Sequence, residues 1–377
     1  MRRTGSSLIR AAAVSVLLAA GAAAQTPPPL EMLHVRGNIY VLFGAGGNIT
    51  LSVGPDGVLL VDSGSADKAD ASLAAIEQLQ RQLAATAERR GLGWGAETRS
   101  TVVTERDPLA PSKPIRYIIN THAHPDHTGG NEKLAAAGRT FTGGNVAGDI
   151  RDAASGAAVL AHENVEAALR TPPAGTPAAP LRALPTETYH GEGMRLSHFF
   201  NGEGIELIHR PVSHTDGDSV VRFRGSDIIA TGDLFFTETY PVIDLARGGN
   251  IQGTVEGLNR VLDLAFPEFR SEGGTMIVPG HGRISDSADV AYYRDMVTII
   301  RDRVQDMIKK GMTLEQVQAA KPTADYDPRY GATTGAWTTG MFVEAVYRNL
   351  ASGTPSTESA GPVPRGAGAS SPRSRPE

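Results

Sequence analysis

Cysteine is absent from all 377 residues. That excludes thiolate nucleophiles, cysteine-based zinc fingers and disulfide staples, and it leaves imidazole and carboxylate as the side chains able to ligate a transition metal. Positive charge is also in short supply: 36 Lys and Arg face 41 Asp and Glu, a net charge of −5. No basic surface therefore invites nucleic acid. Long apolar runs are missing as well. The nearest to one, residues 8–20, is too short for a comfortable membrane span, which takes roughly 20 residues. It follows Arg2 and Arg3 and precedes Ala22-Ala23-Ala24, the layout of a secretory signal peptide over residues 1–24. The expected mature chain starts near Gln25, is secreted or periplasmic, and makes no stable membrane insertion after cleavage.

What the chain does have is histidine and aspartate in a tight cluster. His122, His124, Asp126 and His127 fall within the run Thr121-His122-Ala123-His124-Pro125-Asp126-His127. Imidazole nitrogen and carboxylate oxygen are the donors that borderline divalent metals such as zinc favour. The preceding residues 114–120 form a β-branched and aromatic run that reads as a strand, so the cluster follows the strand's carboxyl end. Pro125 keeps His124 out of helical geometry, and Gly129-Gly130 closes a loop before a helix-like stretch. His122 and His124, two apart, can point the same way onto one metal; the adjacent Asp126 and His127 splay, which suits a second.

Three further candidates repeat this grammar. Residues 204–209 read as a strand, with His214 in the turn beyond it. Residues 226–231 read as another, followed by Gly232 and Asp233. Residues 274–278 are a third, ending in Pro279-Gly280-His281-Gly282. Every candidate ligand is thus expected on a loop after a strand, where open α/β sheets gather their sites.

The run Thr-His-Ala-His-Pro-Asp-His, with His214 in His-Thr-Asp-Gly-Asp, Asp233 in Thr-Gly-Asp-Leu-Phe and His281 in Pro-Gly-His-Gly, resembles the metallo-β-lactamase superfamily over roughly residues 30–285. The resemblance implies an α/β fold, an αββα sandwich of two mixed β-sheets with outer helices. It implies that His122, His124 and His214 hold one metal, that Asp126, His127 and His281 hold the other, and that Asp233 bridges both. It further implies two Zn2+ per chain, with iron or manganese as alternatives, and a small-molecule substrate. A metal-bridging hydroxide would attack a carbonyl, with Asp126 orienting it and passing a proton to the leaving group. Asp62, at the end of the run Leu59-Leu60-Val61, is expected either to fix a ligand histidine's tautomer or simply to cap a turn.

Substrate class is set by departures from the β-lactamase pattern. Asp233 stands where true β-lactamases of this superfamily have cysteine or serine, and it resembles the bridging aspartate of thioesterases and lactonases. Phe236 stands where the best-studied lactamases carry a substrate-binding lysine. The expectation is a binuclear zinc metallo-hydrolase cleaving an ester, lactone, thioester or amide-type bond. The alternatives are a class B-like β-lactamase, a mononuclear iron oxygenase of the persulfide dioxygenase kind, and a non-catalytic metal-binding protein. Phe235-Phe236 is read as core.

Domain organisation reads as one domain over residues 25–350, with an insertion near 65–113 and C-terminal helices at 288–310 and 313–320. Residues 68–90 carry apolar residues at helical spacing. Residues 351–377, mostly Ser, Gly, Pro and Arg, read as a disordered tail. Mass spectrometry of the protein recovered from its native compartment should find a start at or near Gln25; an intact Met1 would overturn the export assignment.

Overall fold

The computed structural model describes residues 29–89, 113–140, 156–173, 177–267 and 273–353. The leader, nearly all of the polar stretch 91–113 and the tail from residue 354 lie outside them. One sheet has seven strands in sequence order: β1 (Glu31–Arg36), β2 (Ile39–Phe43), β3 (Ile49–Gly54), β4 (Gly57–Val61), β5 (Ile115–Ile119), β6 (Ala158–His162) and β7 (Glu187–Tyr189). Pairing is antiparallel from β1 to β4 and parallel from β4 to β7. The second sheet is ordered β12-β11-β10-β9-β8, built from β8 (Gly193–Arg195), β9 (Ile205–His209), β10 (Ser219–Phe223), β11 (Ile228–Phe236) and β12 (Met276–His281). Only β11 and β12 pair in parallel there.

Side-chain alternation packs the two sheets face to face. Val41, Leu59, Ile119 and Leu160 of the first sheet meet Leu207, Val221, Phe223, Ala230 and Val278 of the second. Their neighbours Leu42, Leu60, Ile118 and Val159 point outward, against Ile76 and Leu79. Those last two belong to helix α1 (Ala69–Arg89), so the helical half of the expected insertion forms a layer of the sandwich. Two short helices, α2 (Pro125–Thr128) and α3 (Asn131–Ala136), follow β5, and α4 (Glu163–Arg170) follows β6.

The other outer face belongs to α5 (Ile251–Leu264) and α6 (Ser287–Lys309), then to α7 (Leu314–Ala319), α8 (Asp327–Tyr330) and α9 (Thr339–Ala351). Val220, Ile229 and Ile277 supply the sheet side of that core. The αββα sandwich is therefore observed. One contact ties its carboxyl-terminal end to the centre. Tyr240 stacks on Phe342 of α9 with centroids 4.7 Å apart, and its hydroxyl donates to Asp327 Oδ1 at 2.8 Å. This anchors the segment 240–245, which lies beside the histidine cluster.

Phe342 is fully buried. Phe342→Ala should cost about 3–5 kcal/mol, read as a lowered midpoint in denaturant unfolding; a loss below about 1 kcal/mol would show that α9 does not belong to the cooperative core.

Candidate metal centre

Each of the seven predicted ligands reaches one buried point between the strand ends. Two groups converge there, His122, His124, His214 and Asp233 in one and Asp126, His127 and His281 in the other, with donor atoms within 4.8 Å of one another inside each group. His122, His127 and His214 are at most 1% exposed, while Asp126 and His281 keep 39% and 36% of their side chains accessible. His124 keeps 17%, so the cluster meets solvent at Asp126 and His281 and, to a lesser degree, at His124.

Three expectations about local structure need correction. Asp126 and His127 lie in the first turn of α2, not on a loop: His124 is the extended N-cap residue and Pro125 occupies N1, where its missing N–H costs nothing. Asp233 lies inside β11 and His281 is the last residue of β12, because both strands run on past the residues whose β-branched composition announced them. What places Asp233 inside the strand is Gly232. It sits at φ 52° with the β11/β12 register shifted on either side, and a Cβ there would come within 2.5 Å of Thr121 Oγ1. Gly280 is needed for close approach, since a Cβ would meet Asp233 Oδ1 at 2.0 Å.

The outer nitrogens decide what the inner ones can do. His127 Nδ1 lies 2.8 Å from Asp62 Oδ2 and His214 Nδ1 lies 2.6 Å from the Val242 carbonyl. His124 Nε2 lies 3.0 Å from Asp244 Oδ2. Carboxylates and carbonyls only accept, so each of these nitrogens carries the proton. Thr121 Oγ1 donates to Asp62 Oδ2 and so accepts from His122 Nδ1 at 3.0 Å. With these protons held on the outer side, His122, His124 and His214 turn bare lone pairs inward, while His127 turns its Nε2 to Asp233 Oδ1 at 3.2 Å. His214 Nε2 and His124 Nδ1 face each other at 2.9 Å, an arrangement that repels unless a cation lies between them. His122 Nε2 and Asp233 Oδ1 are buried without a hydrogen-bond partner, which a native fold avoids unless something else satisfies them. The residues present fit divalent metal.

Charge in the pocket agrees. Burial pushes His122 well below its usual range and His214 down to about 4, keeping both neutral. Burial also opposes charge on His127, but Asp233 and Asp62 overcome it and hold that ring well above its usual range. The pocket therefore draws positive charge to the point the two carboxylates flank. Burial opposes the charge of Asp233 too, yet His127 beside it holds it well below the usual carboxylate range.

Asp62 has the tautomer-fixing position. One carboxylate serves His127 directly and His122 through Thr121, and its Oδ1 accepts from the Thr121 amide at 2.8 Å. It holds φ 65°, a left-handed conformation that Asp and Asn tolerate best among non-glycine residues. Asp218 ties the turn: its carboxylate accepts from the His214 and Thr215 amides and the Thr215 hydroxyl, while burial pushes it up to about 8. Phe236 is core, as expected, but also stacks on His281 at 5.8 Å. His209 lies away from the cluster, stacked on His162 at 3.6 Å. Sequence reading missed Asp244, which Arg247 clamps at 2.7 Å. No local pattern marks it, since its partner His124 is 120 positions away.

A family model, the metallo-beta-lactamase superfamily, matches residues 42–282. No curated protein sequence gives a significant match. Among solved structures, the stereoselective inverting sec-alkylsulfatase Pisa1 from Pseudomonas sp. is similar at 16% identity and a TM-score of 0.54, over 85% of this chain and 50% of its own. This chain thus spans about half the alkylsulfatase's length. A metallo-beta-lactamase from Pontibacter korlensis is similar at 14% identity and a TM-score of 0.43, over 71% of this chain and 99% of its own.

Asp62→Asn keeps an acceptor for the Thr121 amide but cannot serve all three donors. Zinc affinity in chelator competition should fall about 10–100-fold; an unchanged competition curve would mean Asp62 only shapes the turn.

Proposed function

The chain belongs to the metallo-beta-lactamase superfamily, and we propose that it is a metal-dependent hydrolase with a two-metal, zinc-type site. The observation that carries this reading is the way Asp233 divides its oxygens. Oδ2 lies 3.7 Å from both His122 Nε2 and His214 Nε2, while Oδ1 lies 3.2 Å from His127 Nε2 and 3.5 Å from His281 Nε2. In this reading His122, His124 and His214 hold one ion, Asp126, His127 and His281 the other, and Asp233 serves both. Three histidines with oxygen donors and no thiolate suit zinc.

Bound divalent ions would supply polarisation of the scissile group and a water acidic enough to ionise near neutral pH. The protein's own residues do the rest. Asp126 sits at the open side of the cluster, 3.1 Å from His281 Nε2. Burial opposes the charge of its carboxyl, but the hydrogen bond with His281 and the neighbouring His127 hold it below the usual range. It is placed to orient the attacking water and to hand a proton to the leaving group. The buried rings and Phe236 exclude bulk water from the inner side, which strengthens the electrostatics within.

The substrate class proposed is an ester, lactone or thioester ahead of a β-lactam. Phe236 is apolar and 4% exposed, so it offers no cation for a lactam carboxylate, a contact worth roughly 1.5–3 kcal/mol. Arg247 is engaged with Asp244 at 2.7 Å, and Arg222 and Arg224, at the end of β10 away from Ser219 and the cluster, each pair with Glu206 at 3.7 Å. Export to a periplasm or beyond is part of the same proposal, on the strength of the amino-terminal pattern.

Purified protein should carry about two zinc equivalents per chain, whereas one iron would favour the oxygenase chemistry instead. A side-by-side kcat/KM panel of an ester, a lactone, a thioester, an alkyl sulfate, a penicillin and a carbapenem should rank a carbonyl ester, lactone or thioester first. A β-lactam ahead by about tenfold, or 1.4 kcal/mol, would refute the substrate assignment. Asp126→Ala should lose about 10²–10⁴-fold in turnover with the fold intact, and near-wild-type turnover would refute its role.

A further inference from the structure

The cluster adjoins a groove of about 460 Å³, within the ~300–1,000 Å³ range of small-molecule sites. Its lining includes His124 and Asp244 of the cluster, Val242 and Leu245 of the segment after β11, and Trp337 and Met341 at the start of α9. Leu245 and Met341 are 38% and 42% exposed. Both line the same cleft beside the cluster, so an occupant there would cover them, as apolar linings do in small-molecule sites. The charged groups at the groove are already neutralised: Asp244 pairs with His124 and Arg247, and Glu344 with Arg348 at 2.7 Å. An occupant therefore gains from apolar contact and finds no unpaired charge. The residues after α9 do not supply one, since 354–377 contain no Leu, Ile, Met or aromatic residue.

We propose that this groove binds a neutral alkyl or acyl chain, so that the substrates are lipophilic esters, thioesters or lactones. Their scissile bond lies at the histidine cluster and their chain runs out between residues 242–245 and the start of α9. The substrate class rests on the hydrolase reading; the binding of an apolar chain does not. Length discrimination follows from the walls: each methylene moved from water onto Leu245, Trp337 and Met341 adds affinity until the groove is filled.

Trp337 reports on the groove directly. The chain has two tryptophans, so Trp94→Phe leaves Trp337 as the sole one, and titration with 1-butanol, 1-hexanol and 1-octanol should change its emission saturably. Kd should fall up to about fourfold per methylene, as ~0.8 kcal/mol per buried CH₂ gives. Adding Met341→Glu, at an exposed position of the first helical turn where an acidic residue is tolerated, should weaken 1-octanol binding at least tenfold. No saturable response, a Kd independent of chain length, or an unchanged Kd in Met341→Glu would overturn the proposal. So would a stable dimer in sedimentation that Met341→Glu dissociates, because the face would then be an interface. Alkanol binding without any hydrolysis would sustain the groove while rejecting the hydrolase. With p-nitrophenyl esters, kcat/KM should rise from butanoate to octanoate, and a flat series would overturn the substrate class.

Discussion

Lone pairs pointed at one another inside a protein are a liability that only positive charge relieves. His214 Nε2 and His124 Nδ1 meet at 2.9 Å with their protons committed outward, and the burial of His122 and His214 makes protonating either of them costly. A bound cation satisfies the inner nitrogens and the carboxylate of Asp233 together. Metal affinity is therefore written into the outward hydrogen bonds as much as into the ligands themselves. Each outer acceptor fixes one ring's tautomer and rotation, and the set of inner donors follows.

Those acceptors come from segments that follow strands of both sheets. Asp62 stands just beyond β4 in the first sheet and reaches α2 and the residues after β5. Val242 and Asp244 come from the segment beyond β11, held in place by Tyr240 on Phe342 of α9. The Val242 carbonyl and the Asp244 carboxylate thus depend on helices that lie outside the segment matched by the family model, which ends at residue 282. The carboxyl-terminal helices consequently have two functions in this account. They set the orientation of His124 and His214, and they form one wall of the groove through which an apolar chain would reach the cluster.

Much of this was legible in the sequence because the signal was local. His122, His124, Asp126 and His127 crowd into six positions, and β5, β9, β12 and the first half of β11 declare themselves through β-branched runs. Asp62 was legible as an alternative between ring partner and turn former, and it is both: it bonds His127 at the same time as it takes φ 65°. The extension of β11 through Asp233 was not legible, because Gly232 reads as a strand breaker and its bulge is defined only by the neighbouring Thr121. The helical turn at Asp126 was masked by the Pro125 and glycine signals on either side, although proline at the first helical position is itself a helix start. Asp244 and the wall of Trp337 and Met341 carry no pattern of their own; contacts across more than a hundred positions give them meaning.

Anomalous X-ray diffraction at the zinc edge on crystals of the zinc-loaded protein addresses the central claim most directly. The account predicts two peaks per chain, one enclosed by His122, His124 and His214 and one by Asp126, His127 and His281, with a carboxylate oxygen of Asp233 toward each. A single peak in either half, or metal bound away from the seven residues, would contradict it.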